Sequence, residues 1–439
     1  MFTKALYRAA FWTALLTGLF CLAIALPAAP AAAAPDTPNA GATALETAAP
    51  QQVAAAKPGK PTKAQLKSFK KASADFSLEL FQRCVASKGK NANVTVAPMS
   101  VMFALATTSN GTNGKTSAQM RKVLGDGASM ARINANLRWY ESRLVSTKRA
   151  KLSNANGIWY DTDGGLRVNK GFLRKAKAFY HAQVTGASFA DPATTDEVNA
   201  WVKDKTNGMI PKIVNRLSPD DRIAIVNALY FDAKWKEPFQ KEATRTQTFK
   251  DAAGKKHKVK MMHGTEHTYL SGAGAVGFMK PYAKGYSYVA LLPKKGTSLK
   301  AFVKKLDGDA FRSLIAKRTS AIVHVSMPKY SVTYSNGAME KQLSAMGVKA
   351  AFSANADFSK MGSVPSGKLS IGSVAHKTRV DVDETGTKAA AATAVMLKAN
   401  ATLDVDVKTV TLNRPFVYAI VDNTTKLPVF IGTVNKVGK

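Results

Sequence analysis

Residues 384 to 395 read Glu384-Thr385-Gly386-Thr387-Lys388-Ala389-Ala390-Ala391-Ala392-Thr393-Ala394-Val395, and a polar stretch follows that ends at Asn413-Arg414-Pro415-Phe416. Small side chains lose little rotamer entropy on burial. Thr and Val favour extended chain. Such a segment can lie outside a sheet or slide between two of its strands. An alanine run also has the best helix propensity. Here Gly386, Thr387, Thr393 and Val395 flank or interrupt it, and no apolar stripe recurs at the spacing of a packed helix.

Upstream, the 439 residues are long enough to bury a sizeable core. The chain opens with Lys4 and Arg8, an apolar stretch from Phe11 to Leu26, and Ala-x-Ala sites around Ala29 to Ala34. This pattern predicts a secretory signal peptide over residues 1–33. Residues 34–62 are Ala, Pro, Thr, Gly and Lys with almost no large apolar group, as expected of a disordered tether. Folding is expected over 63–439. No later apolar run is long enough to span a bilayer, so no transmembrane anchor is expected. Without the signal, Cys84 is the single thiol and no intramolecular disulfide can form. It sits in the apolar-periodic stretch Phe76, Leu80, Phe81, Cys84, Val85, where a buried, inert thiol is expected.

Apolar periodicity predicts one or two helices over Ala64 to Ala86, a helix over Ser117 to Leu124 and another over Ile133 to Leu144. A further helical passage runs from Glu197 to Val214, broken near Gly208 and Pro211. Strand patterns follow at Ile223 to Phe231, Ser287 to Leu292, Ile322 to Met327, Phe416 to Val421 and Val429 to Val434. Helices early, strands late and short connections throughout predict one large α+β domain.

Ordered motifs extend this reading over nearly all of residues 64–439. Asn93-Val-Thr-Val-Ala97-Pro98-Met99-Ser100, Val198-Asn199-Ala200-Trp201-Val202, Val226-Asn227-Ala228-Leu229-Tyr230-Phe231 with Lys234-Trp235, Met327-Pro328-Lys329-Tyr330, Ala375-His376-Lys377 and Val429-Phe430-Ile431-Gly432-Thr433 resemble, in sequence and order, the signature segments of serpins. The resemblance implies a single serpin-like domain with a central mixed β-sheet A, two smaller sheets, about nine helices and an exposed reactive loop. It implies a suicide-substrate inhibitor of serine proteases, or of papain-like cysteine proteases, that traps the acyl-enzyme by inserting its loop as a new strand. The hinge would be Glu384, Gly386, Thr387, Ala389, Ala390, Ala391 and Ala392. The scissile bond would join Asn400 to Ala401, with Lys398 or Ala399 as the alternative register. Asn93, Ser100, Asn227 and His376 match the polar cluster that acts as a shutter under the opening strands, and Ala97 stands where the family usually has Ser. Strand alternation puts Lys388 on the solvent face if Thr387 points inward.

The formal charge is +34, or +32 without Lys4 and Arg8. Such a surface attracts anions. The cluster Arg132, Arg138, Arg143, Lys148, Arg149 and Lys151 is a candidate site for a polyanion such as a glycosaminoglycan or nucleic acid. Two other function classes compete. His263-Gly264-Thr265-Glu266-His267 spells the H-x-x-E-H pattern of a zinc metallopeptidase, but Gly264 and Thr265 are poor helix formers and the flanks read as strand. A non-inhibitory serpin acting as a polyanion-binding, carrier or chaperone protein is the other, and the alanine-rich hinge argues against it. The sequence reading is therefore a secreted monomer, extracellular or periplasmic, that is not an enzyme and uses no metal or cofactor.

Overall fold

The computed structural model describes residues 61–387 apart from 145, 219, 338, 366–367, 372–373 and 375, together with residues 406–438. All of them lie in one compact unit, Ala55–Lys439. The chain begins with α1 (Lys63–Ala86), β1 (Val94–Val96), α2 (Pro98–Ser109), α3 (Gly114–Gly125) and α4 (Met130–Glu141). Next come β2 (Ala150–Asp161), β3 (Arg167–Val168), α5 (Lys170–Tyr180), β4 (Gln183–Ala187), α6 (Pro192–Lys205) and β5 (Ile223–Lys234). Strands then dominate, with β6 (Arg245–Lys250), β7 (Lys256–Gly272), β8 (Ala275–Pro281) and β9 (Tyr286–Pro293). They are followed by α7 (Leu299–Lys305), α8 (Gly308–Ala316), β10 (Thr319–Pro328), β11 (Tyr330–Asn336) and α9 (Met339–Ala345). The last elements are β12 (Gly362–Ser363), β13 (His376–Val382), β14 (Gly386–Thr387), β15 (Val407–Thr411), β16 (Phe416–Asp422) and β17 (Pro428–Val434).

Local chemistry sets the helix ends. The periodic stretch at the start forms one helix, because Thr62 and Gln65 exchange side-chain and backbone hydrogen bonds as a capping box. Helix α4 starts where Ser129 accepts from Arg132 N and stops at Glu141, short of Leu144. Helix α6 begins earlier than the sequence pattern indicates, because Asp191 caps it and Pro192 takes the first helical position. It ends before Gly208, whose φ is +77°. In α2 every residue but Ala104 is buried, as a helix enclosed on all sides must be. It packs against α1, α3, β5 and β17, and so carries the core between the two large sheets.

One sheet has six strands in the order β11-β13-β14-β5-β2-β4. It is mixed, since β2 and β4 run parallel and its other ladders are antiparallel. The second sheet follows β1-β17-β16-β9-β8-β7-β10-β15, with β6 beside β7. Two smaller sheets were expected here. The 17-residue β7 joins them into one path, because its Tyr269–Gly272 end pairs with β8 while the rest pairs with β10 and β6. A two-stranded pair, β12-β3, completes the set. Cys84 is fully buried, and burial pushes its thiol up to about 11, so it packs as an inert apolar group. Among the described residues no helix is long and apolar enough to cross a membrane.

Candidate functional site

The hinge begins in a tight reversal between β13 and β14. Asp383 Oδ1 accepts hydrogen bonds from Thr385 N (2.8 Å), Thr385 Oγ1 (2.6 Å) and Gly386 N (3.2 Å), which closes the turn. Gly386 is required next: a Cβ there would come within 2.2 Å of Ala233 O and 2.8 Å of Lys234 Cα. Gly386 and Thr387 then pair with Lys234 and Ala233 on one side, and Thr387 pairs with Val382 on the other. Two residues of a strand are thus seeded between β5 and β13. Because β14 is antiparallel to both, β5 and β13 run parallel, and among the described residues no ladder joins them directly.

The seed is gripped from several sides. Trp235 N donates to Thr385 O and Phe239 N to Glu384 O, both at 2.9 Å, and Trp235 Nε1 donates to Asp383 O at 2.9 Å. The Glu384 carboxylate meets Lys329 Nζ at 2.8 Å and Thr244 Oγ1 at 2.9 Å. Burial pushes that carboxyl up, and the hydrogen bonds from Lys329 and Thr244 more than offset it, so it stays ionised below the ordinary Glu range. Thr387 points inward: it is 1% exposed and its hydroxyl bonds Tyr282 Oη at 2.7 Å. The Tyr282 ring in turn stacks on Trp235 at 4.4 Å.

Farther down, three of the four expected shutter residues gather around α2. Ser100 Oγ donates to Asn227 Oδ1, and Asn227 Nδ2 donates to Asn154 Oδ1 (2.7 Å) and Asn156 Oδ1 (2.8 Å) of β2. Asn154 Nδ2 extends the chain to Glu141 Oε1 at 2.8 Å, and burial pushes that carboxyl up to about 7. His376, on β13, accepts at Nε2 from Ala97 N at 3.2 Å, and burial lowers its pKa to about 4, so the ring is neutral near pH 7. Ala97 joins the cluster through its backbone N–H alone. Asn93 lies elsewhere: its side chain bonds Asn435 N and Lys436 N and O, which ties β1 to the chain after β17. The described hinge residues Glu384, Gly386 and Thr387 come together. Ala389, Ala390, Ala391, Ala392, Lys398, Ala399, Asn400 and Ala401 fall outside the described residues.

A family model described as serpin (serine protease inhibitor) matches residues 71–437. The chain belongs to the serpin family. An uncharacterized serpin-like protein of Thermococcus kodakarensis is 32% identical over 369 residues, covering 81% of this chain and 83% of that one. Serpin-Z2A of Triticum aestivum is 30% identical, covering 78% of this chain and 89% of the relative. Among solved structures, the thermophilic serpin tengpin in its native state is 40% identical with a TM-score of 0.80, covering 86% of this chain and 96% of that one. Human thyroxine-binding globulin, at 23% identity and a TM-score of 0.76 over 85% of this chain and all of its own, shares the fold.

The H-x-x-E-H pattern of this serpin lies on strand β7. At about 3.3 Å per residue its two histidines are roughly 13 Å apart, too far to share one ion. The basic cluster is divided. Arg132 is exposed at the opposite end of α4 from Arg143, whose guanidinium lies 5.1 Å from the Trp139 ring centroid. Arg138 Nη1 donates to Ala178 O at 2.7 Å and so ties α4 to α5. Lys148, Arg149 and Lys151 are exposed at the start of β2. Sequence reading missed Asn154, Asn156, Glu141, Tyr282 and Thr244. The one local signal was a pair of asparagines two apart in β2, which puts both on one face of a strand.

Proposed function

We propose that this serpin is a secreted suicide-substrate inhibitor of serine proteases, or of papain-like cysteine proteases. The observation that carries the reading is the two-residue strand β14 held between parallel strands that no described ladder joins directly. Continued in the register Thr387↔Ala233, a strand formed after loop cleavage would set Lys388 to Leu397 against Asp232 to Ile223 of β5. Inward Thr387 then sends the alternate positions Ala389, Ala391, Thr393 and Val395 to the core side and Lys388 to solvent. None of those inward residues carries a charge, so insertion would bury no unpaired ion.

The protease nucleophile attacks the carbonyl carbon of Asn400, the Ala401 amine leaves with a proton from the protease's general acid, and an ester or thioester joins the two proteins. Insertion from Thr387 to Asn400 would carry that link about 40 Å along the sheet, and the strain on the protease site would stop water from completing hydrolysis. Export by residues 1–33 and an anionic partner for Arg143, Lys148, Arg149 and Lys151 belong to the same proposal, as does a monomeric state. Incubation with a panel of serine and cysteine proteases, read on a denaturing gel, tests it. A stable band at the summed mass is expected. Clean cleavage with every protease left active would refute inhibition and favour the non-inhibitory reading.

A further inference from the structure

The hinge is held by the segment Trp235–Phe239, whose Trp235 and Phe239 amides donate to hinge carbonyls. Its first half is tied by backbone: Lys236 N donates to Pro281 O at 3.0 Å, and Trp235 bridges Tyr282. The second half, which carries Phe239, leans on a buried ion pair. Lys280 Nζ donates to Glu266 Oε1 at 2.6 Å and to Glu237 O at 2.7 Å, and the two side chains are 4% and 7% exposed. The same ammonium lies 4.2 Å from the Phe239 ring centroid and 5.4 Å from that of Trp235. Glu266 and Gly264 are two apart on β7 and so share a face. A Cβ on Gly264 would sit 3.0 Å from the Phe239 ring, which marks how closely that ring seats. The stretch that spells H-x-x-E-H therefore forms a cradle: its glycine admits Phe239 and its glutamate holds the lysine beneath it.

We propose that Lys280, paired with Glu266, is a positioning residue that fixes the Trp235–Phe239 grip on the hinge and so sets how reliably the loop starts to insert. This rests on the inhibitor reading for its consequence, although the grip itself is a property of the intact fold. A buried ion pair is no gain in stability over an apolar pair of similar volume, whereas breaking one by removing a single partner is costly. Keeping the pair is accounted for by its placement of Glu237 O and two rings. Burial pushes the Glu266 carboxyl up and the Lys280 charge opposes that shift, so the pair is already poorly hydrated.

The test compares the full-length protein with Lys280→Met, Glu266→Gln and the double variant. Hydrogen exchange would be followed in peptides covering 233–240 and, as an internal reference, in β16. Lys280→Met should speed exchange at 235–239 by about tenfold or more with β16 unchanged, and the double variant, which still lacks the ammonium that holds Glu237 O, should keep most of that acceleration, whereas full recovery in it would overturn the positioning role. With a protease that the wild type traps, Lys280→Met should give mainly cleaved chain at an unchanged rate of first attack. Unchanged exchange in a folded Lys280→Met protein overturns the proposal. If that variant does not fold, Glu266→Gln carries the same exchange test, with acceleration expected and none refuting it. A wild type that traps no protease would sink the inhibitor reading, while the exchange result would still decide the grip.

Discussion

Thr387→Arg would drive the β14 seed out from between β5 and β13 in the intact protein, so that insertion would have to bring a charged side chain back into that slot. Thr387 is 1% exposed, and its hydroxyl is the partner of Tyr282 Oη, itself on a ring 2% exposed. Losing that bond leaves a buried phenol unsatisfied, at about 1–3 kcal/mol. An unpaired guanidinium in the same place adds several kcal/mol more, because a buried ion retains a penalty of that size even after relaxation. A total on the order of 4 kcal/mol corresponds to a factor of about 10³ in rate. Deacylation would then outrun insertion. The assay is the ratio of covalent adduct to cleaved chain on a denaturing gel, at several molar ratios of inhibitor to protease. Thr387→Val, which removes only a hydroxyl whose bond to Tyr282 is already made in the intact protein, should leave that ratio within a few-fold of the wild type. An unchanged ratio for Thr387→Arg would refute insertion through this register.

Further outcomes follow from the same geometry. Loop cleavage should raise the melting temperature by adding a central strand paired on both sides, and equal values before and after by calorimetry would contradict it. For a polyanion, Arg143→Glu, Lys148→Glu and Arg149→Glu together should flatten the dependence of log affinity on log salt by about 2–3 for three lost contacts, measured with heparin or duplex DNA. Arg138 is left intact, since its bond to Ala178 O makes it a structural tie. Two buried groups oppose each other in acid. His376, lowered to about 4, gives stability that is lost as pH falls from its ordinary value near 6.5 towards 4; Glu141, raised to about 7, gives stability that is lost as pH rises from about 4.5 to 7. Each is worth about 3 kcal/mol. Urea midpoints across pH 4.5–6.5 should therefore rise with pH in Glu141→Gln and fall with pH in His376→Gln, and parallel pH profiles would contradict the assignment.

Much of this was legible in the residues, because each element carried its own local signal. The apolar faces of α3 and α4 and the continuous apolar runs of β9, β16 and β17 identify themselves. The sequence singled out Gly386, and a Cβ at that position would collide with Ala233 O. What stayed hidden was long-range. Strand β2 begins Ala-Lys-Leu-Ser-Asn-Ala-Asn-Gly, which has little β propensity, and is a strand because β5 pairs along most of its length. Asn93 was grouped with the shutter by position in a motif, and its partners Asn435 and Lys436 lie more than 340 residues away. Glu266 stood out only as part of the H-x-x-E-H pattern and Lys280 carried no signal of its own, because their pairing exists only once the sheet brings them beside Trp235 and Phe239.

The central claim is that a new strand fills the line between β5 and β13 when the loop is cut. Hydrogen exchange before and after cleavage reads this at the amides themselves. Those of Ile223 to Asp232 directed towards β2 are already in a ladder, while those directed towards β13 have no described ladder partner. Cleavage should slow exchange of the second set, and of the amides of β13 that face β5, by about 10²-fold or more, and leave the first set as it was. Exchange in β5 and β13 that is the same in the intact and cleaved protein would contradict strand insertion.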